Sequence, residues 1–378
     1  MAKDKKKGKI RADFRKKHDG RKRQRDFTRA YEEHGFEGED VTQSERISGK
    51  GELTRKRTIV GDQADTEDSG LAVYLDVDES VCRPGRVLSV HGLSSVVRTD
   101  EGDVFRCATR GLLKSLSTEQ RHVVAAGDRV WIRPDGDQEG FIERIEPRHG
   151  VLSRSSRGRQ HVLVANVDQV FIVASAAEPR LKPNLIDRFL VSAEKAGIRP
   201  IICINKIDLV APADLQPLAG VYGQMGYQVV LVSAESQFNI AYLRKLCAGQ
   251  ESVFTGQSGV GKSSLLNAIE EGLDLKVNPV SAENQKGKHT TTAAKLIPLS
   301  NAGFVVDTPG IRQFQLWDVI PEEVAGYFRD IRCYVSMCRY PDCTHIHEDE
   351  CAVKDAVADG RIDLRRYESY CGIFSGDL

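Results

Sequence analysis

Gly256-Gln257-Ser258-Gly259-Val260-Gly261-Lys262-Ser263 is the stretch from which the fold can be read. It fits the phosphate-loop pattern GxxxxGK[ST], and its flanks supply the context that pattern needs. The apolar run 252–255 before it reads as a buried strand, and Ser264-Leu265-Leu266-Asn267-Ala268-Ile269 after it as a helix. Glycines let backbone N–H groups turn inward on phosphate oxygens at the positive end of that helix. Lys262 is placed to reach β- and γ-phosphates, and the Ser263 hydroxyl to bind Mg²⁺. Residues Gly256 through Ser264 are therefore expected to form the cradle for a nucleoside triphosphate.

Outward from this loop, strand and helix patterns alternate. The runs 169–174, 200–204, 228–232, 252–255 and 303–307 read as buried strands, and 185–196 and 240–246 as helices. Such alternation predicts an α/β domain with a parallel sheet between helical layers. Asn205-Lys206-Ile207-Asp208 directly follows the second strand. An Asp208 carboxylate can accept from both N1–H and the exocyclic amine of guanine, where adenine offers an acceptor at N1. The Lys206 stem would lie along the base and Asn205 would bridge loops. Ser233 and Ala234, after the third strand, can offer backbone N–H to guanine O6. A wrong base leaves buried polar groups unpaired, which costs about 1–3 kcal/mol.

Asp307-Thr308-Pro309-Gly310 ends the fifth strand, so Asp307 is expected near Mg²⁺ and the Gly310 N–H at the γ-phosphate. Upstream, Lys288-His289-Thr290-Thr291-Thr292 lies in a segment poor in core residues, as a moving loop would. Thr291 is the threonine expected to close on Mg²⁺ when γ-phosphate is present. The order matters. A GTPase normally runs phosphate loop, switch Thr, DxxG, NKxD, Ser-Ala. Here NKID and Ser-Ala come first, so the predicted fold is a circularly permuted P-loop GTPase domain, tolerable where chain ends lie close together.

The 378 residues exceed one domain. Five short alternating runs between 86 and 145 suit a small β-barrel, with an OB-fold favoured over other small barrels. Lys+Arg and Asp+Glu both total 54, yet the balance is segregated. Residues 1–30 carry fourteen basic against four acidic side chains, and residues 31–80 five against fourteen. With isolated aromatics only, 1–80 reads as a charged, disordered arm, either a phosphate-backbone binder or a solvated tail. No apolar run approaches the ~20 residues that span a bilayer, so no membrane partner is expected.

Cys338-x4-Cys343-x-His345-x5-Cys351 supplies three thiolates and an imidazole, a set suited to one structural, tetrahedral Zn²⁺. Cys333 and His347 are alternative donors, and Asp342, Glu348 and Glu350 are second-layer partners or solvated surface. Nine cysteines without a signal peptide point to a reducing, cytoplasmic setting. The expected division is 1–80 arm, 81–150 OB-fold barrel, 151–317 permuted GTPase domain and 318–378 zinc-binding helical domain.

From residue 81 onward the chain resembles the ribosome small subunit-dependent GTPase A (RsgA) family, carried by NKID before GQSGVGKSS, HTTT, DTPG and the C-x4-C-x-H-x5-C cluster. The resemblance implies a cytoplasmic GTPase, stimulated by the small ribosomal subunit and acting in its late maturation. It also implies contact of the barrel and zinc unit with ribosomal RNA; a monomer is expected. Ile311 occupies the place where many GTPases carry a water-orienting Gln, and an aliphatic side chain cannot hold water. The resemblance points to His289 as the polar group supplied instead. Beside Lys262 and Thr291, His289 completes the expected catalytic set. Two other readings remain open at this point: a GTP-clamped RNA-binding factor without significant turnover, and a metal-handling GTPase.

Overall fold

The computed structural model describes residues 77–110, 113, 123–156, 159–275, 294–307 and 319–376, with the strand backbones at 9–13, 56–63 and 73–75. Among the described residues the arm holds three strands, β1 (Lys9–Asp13), β2 (Lys56–Gln63) and β3 (Val73–Leu75), paired antiparallel in the order β1-β2-β3. The arm's expected disorder otherwise falls outside the described residues.

Strict in–out alternation builds the barrel. β4 (Arg83–His91), β5 (Ser94–Thr99), β6 (Val104–Thr109), β7 (Arg129–Pro134) and β8 (Glu139–Ile145) each bury alternate residues along most of their length. Val87, Val97, Phe105, Cys107, Val130, Ile132, Ile142 and Ile145 fill the interior. The order is β4-β5-β6-β8-β7, and β7 returns to β4, closing the ring. Only β6 and β8 pair in parallel; the other four pairings are antiparallel. Closure removes free edges.

A hairpin of β9 (Leu152–Ser156) and β10 (Arg159–Val164) leads on from the barrel, where a basic junction was expected. Then come β11 (Gln169–Ser175), α1 (Pro183–Lys195), β12 (Arg199–Asn205), α2 (Gln216–Gln224), β13 (Gln228–Leu231), α3 (Ile240–Leu246), β14 (Glu251–Thr255), α4 (Lys262–Ile269), β15 (Lys295–Pro298) and β16 (Phe304–Asp307). The sheet runs β13-β12-β11-β14-β16 in parallel, with β15 antiparallel against β16. Its apolar runs are continuous because both faces are covered. Val170, Ile172, Ile202 and Val253 face one core with α1 and α2; Phe171, Val173, Ile201 and Phe254 face the other with α3 and α4. Phe171 and Phe254, paired across β11 and β14, stack at 4.6 Å.

The C-terminal unit contains α5 (Val324–Tyr327), α6 (Arg332–Val335), α7 (Ala352–Ala358) and α8 (Leu364–Ser375). It sits on α1: Val191 enters its core beside Phe328, Ile331, Tyr370 and Ile373. Buried Arg366 donates to Asp187 of α1 at 2.5 Å and to both carboxylate oxygens of Asp330 at 2.9 and 3.0 Å. Burial pushes the Asp187 carboxyl up, and the Arg366 guanidinium opposes that shift. Among the described residues no helix is long and apolar enough to cross a membrane.

Where barrel meets sheet, Arg86 of β4 contacts the carboxylate of Glu251, the first residue of β14. Glu251 is buried, and neither of its oxygens makes a well-directed hydrogen bond. Burial pushes its carboxyl from 4.5 up to about 8, with Arg86 pulling the other way. Folded and unfolded chains both hold this proton below pH 4.5, but between 4.5 and about 8 the folded chain alone retains it. Stability should therefore fall as pH rises through that window. Glu251→Gln should flatten this decline, checked by chemical denaturation of both proteins across the range.

Candidate nucleotide site and metal centre

The parallel strands deliver their loops to one edge, where α/β sheets bind ligands at the point of strand-order reversal. That point falls between β11 and β14, and the phosphate loop leaves β14 there. Close approach explains its glycines. A Cβ on Gly256 (φ +142°) would lie 2.1 Å from the Val173 carbonyl oxygen, and one on Gly261 (φ +93°) 2.4 Å from Asn205 Nδ2. Side chains at either position would push the loop off β11 and β12. Lys262 Nζ donates to the carbonyls of Gly256 and Gln257 at 2.8 Å each, folding the ammonium back over the loop. Ser263 and Ser264 lie in the first turn of α4.

Asn205 ends β12 and is buried. Its Nδ2 donates to the Val260 carbonyl at 2.9 Å, and its Oδ1 accepts from the Ala234 N–H at 3.3 Å. The expected bridge between loops is therefore present. Ser233 Oγ donates to Asp208 Oδ1 at 2.5 Å, orienting an exposed carboxylate from a buried hydroxyl. Lys206, in left-handed backbone (φ +63°), donates through Nζ to the Glu178 carbonyl at 2.6 Å. Thus 205–208, 233–234 and 256–264 come together. Asp307 ends β16, whose partner is β14, so the chain leaves the sheet beside the phosphate-loop strand. The side chain of Asp307, and the positions of His289, Thr291 and Gly310, lie outside the described residues.

The donor atoms of Cys338, Cys343, His345 and Cys351 lie within 4.8 Å of one another. Cys338 Sγ and Cys351 Sγ are 3.9 Å apart, and each is 3.4–3.5 Å from His345 Nδ1. With Zn–S near 2.3 Å and Zn–N near 2.0–2.1 Å, a tetrahedron has edges of about 3.8 Å between sulfurs and about 3.5 Å from sulfur to nitrogen. The set fits Zn²⁺. Burial pushes the Cys343 thiol up to about 12 and lowers His345, a combination that a bound cation would reverse for the thiols.

Of the alternative donors, Cys333 is exposed and donates to the Arg329 carbonyl, and neither it nor His347 belongs to the cluster. Glu348 shapes the loop: it accepts from Thr344 N–H and Oγ1 at 2.8 and 2.6 Å, bonds that draw its carboxyl down to about 2. Glu350 pairs instead with Arg339 at the surface. Tyr367 and Tyr370, absent from the sequence reading, donate to the carbonyls of His345 and Thr344 at 2.7 Å each. Their three-residue spacing on one helix face was the available signal.

A phosphate loop at the sheet's reversal point, an NKID strand joined to it by Asn205, and these strands in rotated chain order define a circularly permuted P-loop GTPase. The comparisons agree with that class and narrow it. The RsgA GTPase family model matches residues 145–317. Small ribosomal subunit biogenesis GTPase RsgA of Sodalis glossinidius (strain morsitans) is 38% identical over 313 residues, covering 81% of this chain and 89% of that protein. Its namesake from Pectobacterium carotovorum subsp. carotovorum (strain PC1) is 38% identical over 339 residues, covering 87% and 91%. The crystal structure of YjeQ from Thermotoga maritima superposes with a TM-score of 0.66 at 36% identity, covering 78% of this chain and 98% of that one. That of YloQ, a circularly permuted GTPase, gives 0.63 at 31%, covering 80% and 97%. The chain belongs to the RsgA family of GTPases.

The donor geometry generates a direct expectation for the metal. Purified protein should carry about one zinc per chain by atomic emission, the number a four-donor tetrahedral site holds. Cys351→Ser should lose the metal and Cys333→Ser should keep it.

Proposed function

We propose that this GTPase acts in biogenesis of the small ribosomal subunit, binding its ribosomal RNA in the GTP form and leaving after hydrolysis. The observation that carries the reading is Asn205, which ties the base-recognition strand to both the phosphate loop and the Ser233-Ala234 turn. In this reading Asp208 recognises guanine, Lys206 and Ala234 line the base, and the N–H groups of 256–264 hold phosphates. Lys262 neutralises the β- and γ-phosphates, and Ser263 and Thr291 hold Mg²⁺. When bound, that ion supplies charge neutralisation on the transferring phosphoryl oxygens. Asp307 and Gly310 respond to the γ-phosphate, and His289 provides the polar group that Ile311 cannot.

The metal is read as one structural Zn²⁺ held by Cys338, Cys343, His345 and Cys351. Four protein donors leave no open position, and the burial of His345 and Cys351 suits a permanent ion better than cargo. The division into arm, barrel, permuted GTPase domain and zinc unit at 81, 151 and 318 is retained, with a monomeric, cytoplasmic protein as the working unit. The segment after Gly310 runs into the zinc unit, so contacts made with γ-phosphate can bias how that unit meets RNA.

Three measurements test this. GTP hydrolysis should rise when small subunits are added, and far less with large subunits or free RNA; equal stimulation by all three would reject the partner. His289→Ala should then bind small subunits normally but turn over slowly. Asp208→Asn exchanges an acceptor for a donor and should move preference from GTP toward XTP, read from the ratio of their affinities.

A further inference from the structure

We propose that Ser175 is a positioning residue for the nucleoside, acting through Lys206; the proposal rests on the guanine-site reading above. Ser175 is the last residue of β11 and is 1% exposed. Its Oγ donates to the Glu178 carbonyl at 2.8 Å, closing the loop that follows the strand. The same oxygen accepts from Lys206 Nζ at 2.6 Å. One main-chain carbonyl, held by a buried hydroxyl, thus fixes the ammonium of the NKID lysine.

The surroundings keep this carbonyl in place. Ser175 pairs with Asn205 across β11 and β12, and the Ala176 N–H donates to the Asn205 carbonyl at 2.8 Å. The loop is therefore pinned to the strand that carries NKID at the point where Lys206 turns into left-handed backbone (φ +63°). From there the Lys206 stem crosses toward the phosphate loop, its Cε 3.9 Å from where a Cβ on Gly261 would stand. A lysine stem can pack against a flat base while its ammonium stays with a polar partner beyond the base edge. Glu178 supplies that partner, and Ser175 sets where it is. Preorganising a flexible side chain in this way favours binding without adding a contact to the ligand. Because a main-chain carbonyl does the accepting, the identity of residue 178 is immaterial and Ser175 carries the specificity of the arrangement.

The test is calorimetric titration with GDP and XDP, together with steady-state GTP hydrolysis. Ser175→Ala should weaken both diphosphates about fivefold, the loss of one neutral hydrogen bond. Their affinity ratio should stay as in wild type, since Asp208 is untouched. KM for GTP should rise by the same factor with kcat held, and Ser175→Thr, which keeps the hydroxyl, should restore affinity. In a Lys206→Met background, Ser175→Ala should cause no further loss. A loss that persists undiminished in that background would make Ser175 merely structural and overturn the proposal. So would unchanged affinity in Ser175→Ala while Asp208→Asn still moves the GDP/XDP ratio. An Asp208→Asn protein with an unmoved ratio would instead remove the guanine-site reading, and this proposal with it. Should Ser175→Ala not fold, Ser175→Thr must exceed Ser175→Cys in GDP affinity, and equality of the two rejects the idea.

Discussion

One buried amide holds the nucleotide site together. Asn205 uses both ends of its side chain, donating to the phosphate loop at Val260 and accepting from the turn at Ala234. The three segments it joins leave three different strands, and nothing in chain order brings them near one another. Removing the amide would leave the buried Val260 carbonyl without a partner, at about 1–3 kcal/mol, and the half-buried Ala234 N–H without its acceptor. The cost would fall on the loops that this amide joins. Gly261 belongs to the same constraint, since a Cβ there would stand 2.4 Å from the Asn205 amide nitrogen. The glycine of the phosphate pattern therefore serves two needs: room for phosphate and room for the amide.

A second anchor lies on α1. One face of this helix, with Ile186, Phe189 and Leu190, packs beneath the sheet, while Asp187 and Val191 meet the C-terminal unit. Arg329 extends the contact, donating to Glu194 at 2.7 Å and lying 4.2 Å from the centre of the Tyr227 ring. A buried ion pair is weak support for stability but costly to break from one side. The C-terminal unit is seated on the GTPase domain through α1. The same helix begins eight residues after Ser175, at the end of the loop that holds Lys206. The Lys206 contact and the seat of the C-terminal unit are neighbours along the chain.

How much of this was legible in the sequence depended on whether a local pattern existed. The barrel strands alternate cleanly, so 86–90, 95–98 and 104–108 were readable, each inside the strand observed. The phosphate loop and NKID carry residue types whose spacing is itself chemical. The hairpin 152–164 escaped because Ser153, Arg154, Ser155 and Ser156 show no apolar alternation. Helix α2 escaped because Gly220 and Gly223 oppose helix formation locally, and burial of Leu218 and Tyr222 overrides them; Pro217 stands in the first turn, where proline is tolerated. Arg366 looks like any surface charge in the sequence. Its burial against Asp187 arises from packing between segments 179 residues apart, which no window of sequence contains. Main-chain acceptors such as Glu178 are invisible for a different reason: every residue has one.

The strand that carries the phosphate loop also carries the joint with the barrel. β14 is five residues long, with Thr255 preceding the loop and Glu251 meeting Arg86 at the opposite end. The Glu251 N–H is held by Asp168 Oδ2 at 2.7 Å, so the roots of β14 and β11 are tied together below the sheet. Above it, the same two strands meet through Gly256 and Val173. A rigid pair of strands fixed at both ends leaves little freedom for the barrel to tilt without disturbing the loop. Placing a poorly hydrogen-bonded acidic group at that joint is costly, and burial offsets part of the cost by favouring its protonated form. With the barrel preceding β11 and the C-terminal unit following β16, the flanking units attach at opposite termini of one domain: the barrel meets β14 through Arg86 and Glu251, and the C-terminal unit meets α1 through Arg366 and Asp187.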